Sequence, residues 1–162
     1  RRINPILHNS MNIRKITSDK KQFLGLLLLA DEQESMIDLY LERGEMFALY
    51  DQNILKTICV VTDEGGKTIE LKNIATDPQY QKQGYGKRLI RFISEHYAGK
   101  YDTLLVGTGE SPLTIPFYAQ NGFKYSHRIK DFFTDNYDHP IYEDGKQLVD
   151  MVYLRKELSK SK

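Results

Sequence analysis

The chain has 162 residues, with 23 basic and 22 acidic side chains and a formal net charge of +1. This balance argues against a strongly basic nucleic-acid-binding protein, and a single cysteine excludes an internal disulfide. The longest apolar run, residues 26–30, is far shorter than the roughly 20 residues of a membrane span. We therefore predict a cytoplasmic protein with no nucleic-acid or membrane partner, large enough to form one domain with a full core.

The first ten residues precede Met11 and contain no apolar signal-peptide core. We expect residues 1–10 to be an extension outside the fold. Met11 is then the expected natural start, and residues 11–162 the single domain.

Before residue 45 the hydrophobic spacing predicts one strand and two helices. Their predicted bounds are Asn12–Ile16, Asp19–Leu29 and Asp31–Arg43, and Gly44 is placed to end the second helix. From residue 45 the period changes to two, which predicts an antiparallel meander of three strands. These are Met46–Tyr50, Ile54–Thr62 and Lys67–Thr76. Cys59 has apolar strand neighbours, so we interpret it as a buried hydrophobe.

The second half begins with a turn that holds two glycines, followed by an amphipathic helix. Because that helix separates two strands, those strands are expected to be parallel neighbours. The predicted elements are the helix Gly86–Tyr97, the strand Tyr101–Gly107, a helix capped by Ser111 that ends near Asn121, and the strands Phe123–Phe133 and Leu148–Arg155.

The glycine turn is suited to binding an anion. A helix that starts after a glycine-containing loop presents unpaired N–H groups at its positive dipole end, where phosphate oxygens bind readily. The turn is not a Walker A loop, because residues 84–88 lack the second glycine and the Lys-Ser/Thr pair at the required spacing. It is not a dinucleotide fingerprint either, because Leu89 stands where the third glycine is needed.

This turn resembles motif A of the GNAT acetyltransferase superfamily, whose pattern Arg/Gln-x-x-Gly-x-Gly/Ala is met by Gln81–Gly86. The segment Leu71–Pro78 is similar to the strand that precedes this loop in the family, and Phe117–Phe123 is similar to motif B. The resemblance, to a bacterial single-domain branch, covers nearly everything after Met11. It implies a mixed α/β fold with a twisted, mostly antiparallel sheet of about seven strands, a splayed parallel pair and about four helices.

The resemblance also implies acetyl-CoA as co-substrate. In the family, the amides of the turn bind the pyrophosphate, and the preceding strand bonds the pantetheine arm. The implied cofactor-binding residues are Ile74, Ala75, Thr76, Gln81, Lys82, Gln83, Gly84, Tyr85, Gly86 and Lys87. The glycines allow close approach and positive φ, and Lys82, Lys87 and Arg88 add attraction to the phosphates. Relatives often carry an asparagine near the cofactor where this chain has Glu110, which is a departure.

Glu70 is the candidate general base, because several family members carry their catalytic glutamate at the same distance, 11 positions before Gln81. A lysine-like amine with a pKa of about 10.4 is mostly protonated at neutral pH, so a base must collect its proton. Burial would raise the pKa of the glutamate toward that task, or a water would relay the proton. The alternative is a structural carboxylate paired with Lys72 or Lys67 on a solvated sheet face.

Tyr118 is the candidate general acid, since the matching tyrosine in this family can protonate the departing CoA thiolate. A phenol with a pKa near 10 suits a thiol whose pKa is about 8.5. The alternative is a packed aromatic beside Phe117 and Phe123.

The acidic segment Asp131–Asp144 matches no EF-hand or zinc spacing, so no metal is predicted. We interpret it as a long hairpin loop whose aromatic residues form a substrate rim or a homodimer contact. His127 is interpreted as incidental.

Together these features predict an N-acetyltransferase that moves acetyl from acetyl-CoA to a primary amine by direct attack, without a covalent enzyme intermediate. The acceptor is expected to be a small amine or a peptide. Two alternatives stay open at this point: a non-catalytic acyl-CoA sensor, and an interaction module that uses the Phe132–Tyr142 loop.

Overall fold

The structure, a computed structural model, describes residues 10–158. The predicted extension at residues 1–10 lies outside the described residues except for Ser10, and it stays a prediction. None of the described helices is long and apolar enough to cross a membrane.

Seven strands form one sheet in the order β1-β2-β3-β4-β5-β9-β6, and β7 pairs with β8 in a separate ladder. The strands are β1 Met11–Ile16, β2 Glu45–Asp51, β3 Ile54–Gly65, β4 Thr68–Thr76, β5 Thr103–Gly109, β6 Lys124–Ile129, β7 Tyr142–Glu143, β8 Lys146–Gln147 and β9 Met151–Glu157. The β4–β5 pair is parallel, whereas β1–β2, β2–β3, β5–β9 and β6–β9 are antiparallel. The predicted mixed α/β fold with one parallel pair is therefore confirmed.

The described residues contain five α-helices where the sequence predicted about four. They are α1 Leu24–Ala30, α2 Glu34–Ile37, α3 Tyr85–Tyr97, α4 Ile115–Gln120 and α5 Phe132–Asn136, with 3-10 turns at Lys20–Phe23 and Pro78–Tyr80. The apolar face predicted for α3 is confirmed, because Leu89, Ile90 and Ile93 are almost completely buried.

The described residues divide into two compact units, residues 10–62 with 73–92, and residues 63–72 with 93–158. The single-domain assignment stays a prediction. In the first unit, apolar residues of α1 and α2 pack with residues of β2 and β3. This core contains Phe23, Leu27, Ile37, Tyr40, Leu41, Met46, Ala48, Ile58, Val60 and Ala75. Cys59 is fully buried, as predicted, and burial raises the pKa of its thiol.

The helix predicted over residues 31–43 is wrong beyond Ile37, since residues 38–43 form turns. The buried ammonium of Lys20 explains this, because it donates to the carbonyl oxygens of Leu41, Glu42 and Gly44 at 3.0, 3.3 and 2.7 Å. Those carbonyls satisfy a buried charge instead of continuing a helical ladder. Glycine at position 44 is required by packing, because an added Cβ would lie 2.6 Å from Val60 Cγ1.

In the second unit, two element predictions need correction. Ser111 does not cap α4: its Oγ accepts from the Leu113 N–H at 3.0 Å, and the helix begins at Ile115. The strand predicted over Phe123–Phe133 ends at Ile129, and α5 begins at Phe132. Asp131 adopts a left-handed conformation with φ 59°, which breaks the extended chain before α5.

Candidate active site

The glycine turn and the first turn of α3 form the segment Asp77–Lys87, which we name the phosphate loop. It lies in the first unit. Its start is fixed locally, because Asp77 Oδ1 accepts from the Gln79 N–H at 2.9 Å and Gln81 Nε2 donates to the Thr76 carbonyl at 3.3 Å. These bonds hold the chain as it leaves β4 and enters the 3-10 turn at Pro78–Tyr80.

The backbone of the phosphate loop turns through two left-handed residues. Lys82 and Gly84 both have left-handed φ values, 63° and 89°, with Gln83 between them. Successive residues that alternate in this way turn their N–H groups toward one concavity. The first α3 bond reaches from the Arg88 N–H to the Gly84 carbonyl at 3.0 Å, so the preceding amides have no acceptor within the helix. Residues 81–84 are solvent-exposed.

Two details differ from the expectations that both glycines adopt positive φ and that the Tyr85 side chain is available to the cofactor. Positive φ is required at Gly84 but not at Gly86, and Lys82 takes the second left-handed position. The Tyr85 hydroxyl donates to Asp51 Oδ2 at 2.8 Å, so its side chain already has a partner. Any role of Tyr85 toward phosphate therefore belongs to its backbone amide.

The strand residues predicted to bond the pantetheine arm lie beyond the parallel pairing of β4. The registered β4–β5 pairs run from Thr68–Thr103 to Leu71–Val106, whereas β4 continues to Thr76. Within the first unit, the Ala75 carbonyl accepts from Thr57 Oγ1 at 2.9 Å. Ile74 follows the last registered β4–β5 pair and precedes Ala75, and its contact with the pantetheine arm stays a prediction.

Glu70 lies in the second unit and is only 7% exposed. Its two carboxylate oxygens have different partners: Oε1 lies 3.3 Å from Lys72 Nζ, and Oε2 accepts from the Tyr153 hydroxyl at 3.2 Å. We name these three residues the Glu70 cluster. Burial raises the pKa of Glu70 above its usual range, although Lys72 and Tyr153 act in the opposite direction.

The geometry of Glu70 has features of both interpretations, the general base and the structural carboxylate. The carboxylate is paired with Lys72, as the structural alternative expected, but at a buried position and not on a solvated face. A raised pKa makes its ionised form a stronger proton acceptor, as catalysis requires.

Tyr118 also lies in the second unit, on α4, and is 8% exposed. Its ring packs edge-on against Phe117 and Phe123 with centroid distances of 5.2 and 5.6 Å. Burial, and after it the charge of Glu143, raises the pKa of its hydroxyl, so the group stays protonated at neutral pH. No hydrogen bond or ring contact joins Tyr118 to Glu70 within residues 10–158.

Tyr153 is the functional candidate that sequence reasoning missed. It lies 83 residues from Glu70 in the chain, and burial followed by the Glu70 charge raises its pKa. His127, which seemed incidental, stacks on its ring at 4.7 Å with an interplanar angle of 2°. Gly107 leaves room for this ring, because an added Cβ would lie 3.0 Å from Tyr153 Cζ. No local motif marks Tyr153, and only its position in an alternating strand was available as a signal.

Glu110 and the acidic segment have structural partners in the second unit. Glu110 accepts two bonds from Arg128, at 3.0 and 3.3 Å, and Arg128 also donates to Asp150. Around α5, apolar residues form a small core of Phe133, Ile141 and Leu148, with Phe132, Tyr137 and Met151 packed against it. Within residues 10–158, no group of three or more His, Cys, Asp or Glu side chains is arranged to hold a metal ion.

Comparisons with known proteins agree with the resemblance of the glycine turn to the GNAT family. A family model described as an acetyltransferase (GNAT) domain matches residues 42–125. The uncharacterized N-acetyltransferase YvbK of Bacillus subtilis is 35% identical over 156 residues, covering 91% of this chain and all of that protein.

Two solved structures are similar over almost their whole length. A GNAT family acetyltransferase from Elizabethkingia anophelis with acetyl-CoA bound has a TM-score of 0.85 and 33% identity, covering 93% of this chain and 99% of that one. A Bacillus subtilis acetyltransferase in complex with CoA has a TM-score of 0.84 and 34% identity, covering 92% and 99%.

Proposed function

The chain belongs to the GNAT acetyltransferase family, and we propose that it transfers acetyl from acetyl-CoA to a primary amine by direct attack of the nitrogen on the thioester. The observation that carries the proposal is the environment of Glu70, a buried carboxylate with a raised pKa and a fixed orientation. An amine acceptor needs such a base, because it must lose a proton to become a nucleophile.

Acetyl-CoA as the donor is supported by the phosphate loop and by the two relatives that bind acetyl-CoA or CoA. In this proposal the amides of residues 82–87 bind the pyrophosphate, and exposed Lys82, Lys87 and Arg88 add long-range attraction. Backbone groups of Ile74, Ala75 and Thr76 bond the pantetheine arm.

The proposed reaction balances its protons through two side chains. The ionised Glu70 takes one proton from the acceptor ammonium, directly or through a water, and the neutral amine attacks the thioester carbonyl. Collapse of the tetrahedral intermediate breaks the carbon–sulfur bond and releases the CoA thiolate. Tyr118, protonated at neutral pH, donates a proton to that sulfur. The second proton of the attacking nitrogen is lost to solvent, which also takes the proton held by Glu70 and reprotonates the Tyr118 phenolate before the next turnover. Tyr153 and Lys72 hold the Glu70 carboxylate in place throughout.

Cys59 is poorly suited to be the nucleophile that would form a covalent acetyl-enzyme. Cys59 is fully buried, and burial raises the pKa of its thiol, so the nucleophilic thiolate is disfavoured. Direct transfer is therefore the simpler route. The type of acceptor, a small amine or a peptide, the homodimer and the cytoplasmic location stay predictions.

An acetyl-CoA turnover screen against an amine library, read as released thiol, tests this function. We expect thiol release with at least one amine, and strong loss of that activity in Glu70→Gln. Acetyl-CoA binding by titration calorimetry with no release against any amine would favour the acyl-CoA sensor instead. Absence of binding to acetyl-CoA and CoA would contradict both functions.

A further inference from the structure

Lys56, on β3 in the first unit, is a buried lysine with no carboxylate at ion-pair distance within the described part of the chain, although its charge, after the larger effect of the Tyr85 hydroxyl, helps to lower the pKa of Asp51. The lysine residue is only 7% exposed. Its ammonium lies 3.3 Å from the centroid of the Tyr80 ring and 5.5 Å from that of Tyr85. Both distances are within the range of a cation–π contact, which is stronger where water is excluded. Two aromatic rings of the phosphate loop thus meet one lysine.

The backbone of Lys56 contacts the same loop. Its carbonyl oxygen accepts from the Asp77 N–H at 2.8 Å, at the first residue of the phosphate loop. Lys56 therefore meets the loop at three points: its first residue, the 3-10 turn at Tyr80, and the start of α3 at Tyr85. The residues with left-handed φ, Lys82 and Gly84, lie between the second and third points.

The end of the adjoining strand supports the third contact. Asp51, which pairs with Ile54 of β3, accepts from the Tyr85 hydroxyl at 2.8 Å and from Ser10 Oγ at 2.9 Å. Tyr85, first among the causes, and then Ser10 lower the pKa of the Asp51 carboxyl. The Tyr85 side chain is thus held by the β2–β3 hairpin at both its ring and its hydroxyl.

We propose that Lys56 is a positioning residue for acetyl-CoA binding, which seats Tyr80 and Tyr85 on the β2–β3 hairpin and so holds the phosphate loop in its anion-binding conformation before the donor arrives. This inference rests on the proposed role of the loop in binding acetyl-CoA. Its physical basis is preorganisation, because a loop that is already ordered loses less conformational freedom on binding. The ammonium itself need not touch the phosphates.

The test variant is Lys56→Met, which keeps the length and apolar stem of the side chain and removes its charge. We expect CoA binding, measured by titration calorimetry, to weaken about five- to thirtyfold. Lys56→Arg, which retains a cation over the rings, should recover most of the affinity. The matched control is Lys15→Met, since Lys15 is an exposed lysine of the same unit that pairs with Glu45. It should bind CoA like the wild type.

A second donor separates positioning from general destabilisation. Acetyl-pantetheine lacks the phosphates, so its kcat/KM should change less than about twofold in Lys56→Met, whereas KM for acetyl-CoA rises and kcat is kept. An equal loss with both donors, or unchanged CoA affinity in a folded Lys56→Met protein, would overturn the proposal.

If Lys56→Met does not fold, Tyr80→Leu removes the other half of the contact and must weaken CoA binding by a similar factor. Wild-type protein that binds no CoA would instead contradict the proposed function.

Discussion

Residues 81–84 of the phosphate loop are exposed, and their proposed role uses the backbone, whereas Glu70 and Tyr153 are buried, and the proposed role of their cluster uses side chains. The loop depends on two left-handed φ values and on contacts that hold the chain in that shape. The cluster depends on a carboxylate whose protonation is set by burial, by Lys72 and by Tyr153. Substitutions in the loop should therefore change the affinity for the donor, and substitutions in the cluster should change the rate and its pH dependence.

The largest expected effect is that of Glu70→Gln, which removes the proposed base and keeps the size of the side chain. We expect kcat near neutral pH to fall about 100- to 1,000-fold, while CoA affinity is unchanged. Because the pKa of Glu70 is raised, the ionised base of the wild type is lost as pH falls through that value. The deficit of the variant should shrink as pH approaches about 10.4, where the amine loses its proton unaided.

A pH profile of kcat/KM for the acceptor measures both limbs of this prediction. A constant ratio between wild type and Glu70→Gln across that range would remove Glu70 from the role of base.

Gly84→Ala tests the opposite region. Nothing lies within 4 Å of a Cβ at this position, so the expected penalty comes from φ 89° alone and not from a clash. A left-handed alanine costs about 1–2 kcal/mol, which corresponds to about a five- to thirtyfold loss of CoA affinity in titration calorimetry. Gly25→Ala in α1 is the matched control, because its Cβ also meets open space without a positive φ. Equal affinities for both variants would contradict the backbone account of the loop.

Tyr118→Phe should have a smaller effect, confined to the departure of the thiolate. We expect kcat to fall about three- to tenfold with little change in the melting temperature, since the ring still packs against Phe117 and Phe123. Stopped-flow measurement of thiol release, with a parallel thermal melt, separates the two quantities. A variant that keeps both its rate and its melting temperature would support the packing interpretation of Tyr118.

The smallest expected effect is that of Tyr153→Phe, which removes one hydrogen bond to the Glu70 carboxylate. Loss of a donor to the charged form should raise the pKa of Glu70 further. Activity on the acidic side of the profile should then fall about two- to fivefold and recover at higher pH. A uniform loss at all pH values would contradict an effect of Tyr153 through the pKa of Glu70.

The same contrast explains what the sequence could predict. The phosphate loop was recognisable because its glycines, its flanking strand and its helix are adjacent in the chain. Glu70 is a candidate base because of its fixed distance from that loop, and this role stays a prediction. Tyr153 was not found, because its bond to Glu70 joins residues 83 positions apart and needs no motif. The sequence did not identify Lys56 either, because a lysine in a strand is normally expected to have a solvated side chain.

The element errors have equally specific causes. The helical period over residues 31–43 was overridden where the buried Lys20 ammonium bonds three backbone carbonyls. The last part of the predicted strand Phe123–Phe133 became α5, where Phe133 stacks on Tyr137 at 5.6 Å, one helical turn later. In both places tertiary contacts decided the local structure against the periodicity.

The most direct test of the division between the two regions is a side-by-side measurement of kcat and of KM for acetyl-CoA in Glu70→Gln and Gly84→Ala. We predict that Glu70→Gln lowers kcat and leaves KM for acetyl-CoA unchanged, while Gly84→Ala raises that KM and leaves kcat unchanged. A result in which both variants change the same parameter would contradict the assignment of donor binding to the loop and proton transfer to Glu70.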